Sequence, residues 1–255
     1  MSRNFELLQK LGKEHDIFPS EAQPAPLPEP VEFRAMEFKP PELEMQPAQK
    51  DELTKLVQRL FLATGADASR VVVVTSIDAG SGSSWICARM AEVLASQISA
   101  SVCVVDANLG APGLHQQFQV ENHHGLSDAL QQDSSPVRQF ARRVGRENLW
   151  LLSCGAESGD WQTMVGSDRM QRRILELRQE FDYVLIDAPA LNTSNDGVML
   201  GCAADGAVLV LKANASRRGT ARKAMHELER AKIRVLGAVL NQRTFPIPQG
   251  IYDRL

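Results

Sequence analysis

The sequence is short of the features that mark several protein classes. It has no uninterrupted apolar run of 18 residues, so no segment reads as a membrane-spanning helix. Its opening residues, MSRNFELLQK, hold no apolar h-region, so no secretory leader is expected and the chain is read as cytoplasmic. No C-x-x-C occurs. Cys87, Cys103, Cys154 and Cys202 are widely spaced, three of them in apolar stretches, and are read as reduced core cysteines. A basic surplus is missing too: the net charge is −3, which argues against nucleic acid as a partner. His115, His123 and His124 lack Cys or Asp partners at ligand spacing, so no zinc site is expected. No internal repeat is visible.

What the chain has is uneven. Residues 1–18 read as a short amphipathic helix with Phe5, Leu8 and Leu11 on one face. Eight of the thirteen prolines then fall between Pro19 and Pro47, interleaved with Glu, so 19–48 reads as an extended linker without a core. From residue 49 to 255 the pattern is that of one globular domain. It opens with a helix over about 49–63 carrying Leu53, Leu56, Val57 and Leu60. Strands are expected at 71–76, 102–106, 149–153, 183–187, 207–212 and 234–240. Helices are expected at 83–98, 168–180, 195–203 and 216–231, with shorter pieces near 125–131 and 137–143. The strands are continuous Val/Leu/Ile runs, so both faces should be covered. That order predicts an α/β fold: a three-layer, doubly wound, mostly parallel sheet.

Three strand ends carry residues able to do chemistry. After the first strand comes Ile77-Asp78-Ala79-Gly80-Ser81-Gly82-Ser83-Ser84, a turn of small residues opening a helix. Such a turn presents free amide N–H groups together with the positive end of the helix. Against the phosphate-loop pattern G-x-x-x-x-G-K-[ST] it keeps Gly82 and Ser84. Ile77 stands at the first Gly and Ser83 at the Lys. On loop chemistry alone the segment reads equally as a phosphate cradle or an ordinary tight βα turn. Asp106 ends the second strand motif, VCVVDAN, and Asp187 ends the third, YVLIDAP. A lone strand-end Asp is more often a helix cap. Two of them beside a candidate loop suggest Mg²⁺ binding, because ligands gather at the carboxyl ends of such strands.

The runs TSIDAGSGSS, VVDANLGAPGLHQQF, GLSDAL, NLWLLSCG, SDRM, FDYVLIDAPA and GAVLNQRTFPIPQGIYDRL are collinear over about residues 50–255. Together they resemble the bacterial tyrosine autokinases of polysaccharide biosynthesis, P-loop proteins of the CpsD/CapB type related to the MinD/ParA ATPases. The resemblance implies a P-loop NTPase fold, ATP and Mg²⁺ as cofactors, ring-like oligomers, and a membrane partner that sets polysaccharide chain length. It also implies site residues: Gly80, Ser81, Gly82, Ser83, Ser84, Trp85 and Asn241 for the nucleotide, Ser84, Asp106 and Asp187 for the metal, and Asp106 and Asp187 for catalysis.

The departures from that family point the other way. The family loop reads roughly P-G-E-G-K-S-T. Here Ser83 replaces its Lys, Trp85 replaces its Thr, and Asp78 adds a negative charge expected to face the phosphates. The motif D-x-D-L-R-x-P becomes Asp106-Ala107-Asn108-Leu109-Gly110-Ala111-Pro112, with the second Asp and the Arg lost. The C-terminal tyrosine cluster shrinks to Tyr252, and the only other tyrosine, Tyr183, is expected to be buried. The oligomerisation motif E-x-x-R-x-x-R falls on Asp51, Thr54 and Val57. Removing one partner of a desolvated charge pair costs about 2–5 kcal/mol, roughly thirty- to several-thousand-fold in affinity.

The sequence therefore predicts a degenerate member whose ATP and Mg²⁺ binding is weak or lost, acting as regulator or scaffold of exopolysaccharide or capsule export. Its expected partners are a membrane chain-length determinant (a polysaccharide co-polymerase), further copies of itself or an active kinase paralogue, and no nucleic acid. A peripheral place at the inner face of the membrane would follow from the first. The alternative is a working ATPase or tyrosine kinase that borrows a cation, with Lys212 a better candidate than Arg89. A MinD/ParA-like positioning ATPase is the weaker option, since Ser76–Ala79 lacks that group's extra lysine.

Overall fold

Four consecutive valines cannot turn one face to water, and strand β1 (Val71–Ser76) is buried along its whole length. The computed structural model describes residues 45, 47–62, 68–156 and 164–243. In it β1 lies between β5 (Tyr183–Asp187) and β6 (Gly206–Lys212), parallel to both. β2 (Val102–Asp106) pairs with β5 and β4 (Leu149–Leu152), and β7 (Val235–Asn241) with β6, all parallel. Only β3 (Arg142–Arg143) runs antiparallel, against β4, completing a seven-stranded sheet in the order β3-β4-β2-β5-β1-β6-β7.

The pleat divides each strand between two cores. Val72, Val74, Val102, Val104, Leu185, Val208 and Val210 pack beneath α1 (Pro47–Phe61), α2 (Ser83–Gln97) and the short α3 (Leu114–Gln117). Val71, Val73, Cys103, Val105, Val184, Ile186, Ala207 and Leu209 pack on the other side. The helices there are α4 (Leu126–Gln131), α5 (Asp168–Glu180), α6 (Asp196–Cys202) and α7 (Arg218–Arg230). Two helices start where the chain supplies a reason: Pro47 suits the first turn of α1, and the Ser167 hydroxyl accepts from the Met170 amide at the start of α5.

The predicted doubly wound sheet is present, and all six expected strands form within a residue or so. β3 and α3 escaped the sequence reading because two and four residues carry no period. The expected helix near 137–143 is a 3₁₀ turn at Val137–Phe140 that runs into β3. Cys87, Cys103 and Cys154 are buried free thiols, whereas Cys202 is exposed at the end of α6, so the reading of all four as core residues fails there. The expected helix over 1–18, nearly all of the linker, and Tyr252 lie outside the described residues.

Arg173 ties α5 to the segment after α4. Its guanidinium is buried and donates to the carbonyls of Ala129, Gln132 and Ser135 and to Glu176. Arg173→Ala should lower the free energy of unfolding by about 3 kcal/mol, because it strands a carboxylate and several carbonyls. Urea denaturation followed by circular dichroism measures it.

Candidate functional site

The loop between β1 and α2 is held mainly through its carbonyls, while its amides from Gly80 onward are left unused among the described residues. Asn192 N donates to Ile77 O, and the hydroxyls of Ser76 and Ser81 donate to Asp78 O at 3.0 and 2.6 Å. Gln242 Nε2 donates to Gly80 O at 3.1 Å, Asn241 Nδ2 to Ser81 O at 2.9 Å, and Ile86 N to Gly82 O. The amides of Gly80 to Trp85 donate to no acceptor among the described residues. Gly80 and Gly82 have φ of 74° and 83°, which turns successive N–H groups to one side. A Cβ on Gly82 would come within 2.5 Å of Asn241 Nδ2, so glycine is needed there twice over. The arrangement is an anion cradle at the start of a helix.

Asp78 was expected to face the phosphates. Its carboxylate instead accepts from Asn192 Nδ2 and Ser216 Oγ, both at 2.9 Å, which anchors the loop to the segments following β5 and β6.

Beside the cradle, register sets Asp106 directly against Asp187 on neighbouring strands. Both are fully buried. Asp106 accepts from the amides of Asn108, Gly113 and Leu114, and so organises the turn into α3. Burial raises its pKa to about 6 against the pull of those amides. Asp187 is less satisfied: neither oxygen has a hydrogen-bond partner of normal geometry among the described residues. Burial and then the charge of Asp106 push its pKa well up, and the Ser84 hydroxyl lowers it. Ser84 also stands close to the start of α3, where a Cβ on Gly113 would meet its Oγ at 3.2 Å. An orphaned, buried carboxylate beside a second one and a hydroxyl suits a hard divalent cation with oxygen ligands. The residues present therefore fit Mg²⁺. Among the described residues there is no group of three or more His, Cys, Asp and Glu that could hold another metal.

Most of the predicted site residues meet here: Gly80 to Ser84, Asp106, Asp187 and Asn241. Trp85 does not. It lines a groove of about 610 Å³ between α1 and β7, with Leu53, Leu56, Ile86 and Val239. Arg89 also turns elsewhere: its buried guanidinium pairs with Glu92 at 2.6 Å. Lys212 pairs in register with Asn241 and follows Val208 and Val210, so it lies on the α2 side of the sheet, as the cradle does. Asn192, Ser216 and Gln242, which hold the loop in place, were missed. Each comes from more than a hundred residues away, and nothing local marks it.

The family description "Cellulose biosynthesis protein BcsQ" matches residues 69–230. The tyrosine-protein kinase YwqD of Bacillus subtilis (strain 168) is 32% identical over 170 residues, covering 67% of this chain and 71% of that protein. The chain belongs to the bacterial tyrosine-protein kinase family. Among solved structures, the chimerical protein CapA2B2 superposes with a TM-score of 0.73 at 23% identity, over 80% of this chain and 88% of that one. The septum site-determining protein MinD of Pyrococcus horikoshii OT3, complexed with Mg-ADP, gives 0.58 at 23% identity, over 72% and 76%. Both share the P-loop fold. No described helix of this family member is long and apolar enough to cross a membrane.

For metal-free protein the carboxylate pair sets a pH dependence. Acids whose pKa is raised by folding contribute stability that is fully present below the unfolded value, about 4, and lost as pH rises through the folded one. The melting temperature should therefore fall as pH rises from about 4 to about 6, the window set by Asp106, and Asp187 extends the decline to higher pH. Asp187→Asn should flatten the decline and abolish any rise in melting temperature on adding MgCl₂. Differential scanning calorimetry across that range checks both.

Proposed function

We propose that this chain is a tyrosine autokinase-like component of exopolysaccharide or capsule biosynthesis whose nucleotide site is impaired, and that it works as a regulator or scaffold of the export machinery. One observation carries the reading. The donors that hold the loop are the neutral side chains of Ser, Asn and Gln, while Ser83 stands where the family's lysine would reach the phosphates. The cradle can bind an anion through amides, yet it brings no formal charge of its own to neutralise a triphosphate. When bound, Mg²⁺ would supply that charge, held by Ser84 and Asp187 with Asp106 behind them. Asn108, in place of an aspartate, cannot take a proton from an attacking hydroxyl.

The cellulose biosynthesis description and the kinase relatives support a role in polysaccharide export. The Mg-ADP complex of the MinD neighbour supports a nucleotide with Mg²⁺ as the ancestral ligand. A membrane polysaccharide co-polymerase is the partner this reading requires, and it would hold the chain at the inner face of the membrane. Further copies of the chain or an active paralogue would complete the assembly. A second reading, a working ATPase, is favoured by Lys212, which lies on the cradle's side of the sheet and makes no ion pair among the described residues.

Calorimetric titration with ATP separates the two. The impaired site should bind Mg-ATP weakly and Mg-free ATP not at all, without phosphate release. Ser83→Lys should tighten Mg-ATP by roughly thirty-fold or more. Because Trp85 lies in the α1–β7 groove, that single change should suffice without Trp85→Thr. Micromolar binding with phosphate release by the unaltered chain, lost in Lys212→Ala, would establish the second reading instead.

A further inference from the structure

Charge is not spread evenly over this molecule. The sequence carries a net charge of −3, yet residues 217–234 hold seven arginines and lysines against two glutamates. Both glutamates, Glu227 and Glu229, lie in the second half of α7. Arg217, just before the helix, and Arg218, Arg222 and Lys223 in its first half are all exposed and without an ion pair among the described residues. Helix stability does not explain them. Cations in a first turn oppose the helix dipole, and α7 has neither an acidic residue nor a side-chain cap there. The inner stripe of α7, Ala221, Ala224, Met225 and Leu228, is what holds it to the sheet, so the basic residues are free to project outward.

An apolar feature sits at the same end. Leu240, the penultimate residue of β7, is 60% exposed. Its register partner on β6 is Leu211, which packs in the same layer as Ala221 and Met225, so Leu240 projects from the side of the sheet that α7 occupies. α7 follows β6, so the cationic half of the helix and the exposed leucine both lie at the carboxyl end of the strands, the end that carries the cradle.

From this juxtaposition we infer that the α7–β7 rim is a surface for anionic phospholipid bilayers, with the four cations on the headgroups and Leu240 entering the acyl boundary. Nucleic acid would satisfy the cations but offers nothing to an exposed leucine, which is why the membrane is the better fit. The contact would be direct, additional to any membrane partner, and would bring the carboxyl-end rim to the lipid surface.

Co-sedimentation of the full chain with vesicles tests it. The protein should bind vesicles of phosphatidylcholine with phosphatidylglycerol, not phosphatidylcholine alone, and raising NaCl should release it. Changing Arg217, Arg218, Arg222 and Lys223 together to Gln should lower the partition coefficient by roughly several-hundred-fold, about five-fold per residue. Leu240→Ser should lower it roughly ten-fold without altering the salt dependence. Should the quadruple variant fold poorly, the salt release of the unaltered chain and the single Arg222→Gln change still decide. Equal binding to neutral vesicles, no binding to anionic ones, or indifference to these substitutions would overturn the inference. Charge-dependent binding of duplex DNA without vesicle binding would overturn it in favour of a nucleic-acid surface.

Discussion

Everything at the candidate site depends on one constraint, the burial of a parallel strand on both faces. β1 has no exposed side, so it must sit between β5 and β6 with helices above and below. Parallel pairing then delivers every loop that follows a strand to one end of the sheet. That is why the cradle, Asp106, Asp187, Lys212 and Asn241 converge although more than 150 residues of sequence separate the first from the last. It is also why two acids come into register on β2 and β5, an arrangement that the core tolerates only because nearby amides and a hydroxyl offset part of its cost.

Strands were legible because burial on both faces leaves an unmistakable apolar run, as in Val71–Val74 and Val102–Val105. Glycine at positions 80 and 82 marked the loop but left a cradle and an ordinary turn equally open, and the aspartates ending two such runs marked the acids. The latch on the loop was not legible. Asn192, Ser216 and Gln242 are ordinary loop residues, given a role only when the sheet closes. Asp78 was misjudged for the same reason: its charge was visible, but its two distant donors were not. Trp85 shows a further limit. Its place beside Ser84 put it among the expected nucleotide residues, whereas its side chain lines the groove beside α1.

The site is thus asymmetric in what has been kept. Of its acidic half Asp106 and Asp187 are kept, both buried, whereas Asn108 stands for an aspartate; its basic half lacks the family's lysine, with Ser83 in that place. A protein that needed neither half could have replaced Asp187 with a residue that fits the core at less cost. The two buried carboxylates are the part of the site for which the fold bears an energetic penalty.

A cradle made of amides alone differs from one with a lysine in how far it is felt. The attraction of a point charge extends across a Debye length, whereas that of peptide dipoles fades within a turn of the helix. With Ser83 in the loop, a phosphate approaching as the proposed reading has it would meet no point charge from the loop itself until it is almost seated. Capture then becomes a matter of collision and fit, its rate nearly independent of ionic strength, and selectivity shifts from net charge to shape. Ser83 has made the loop short-sighted: it reads only what already touches it.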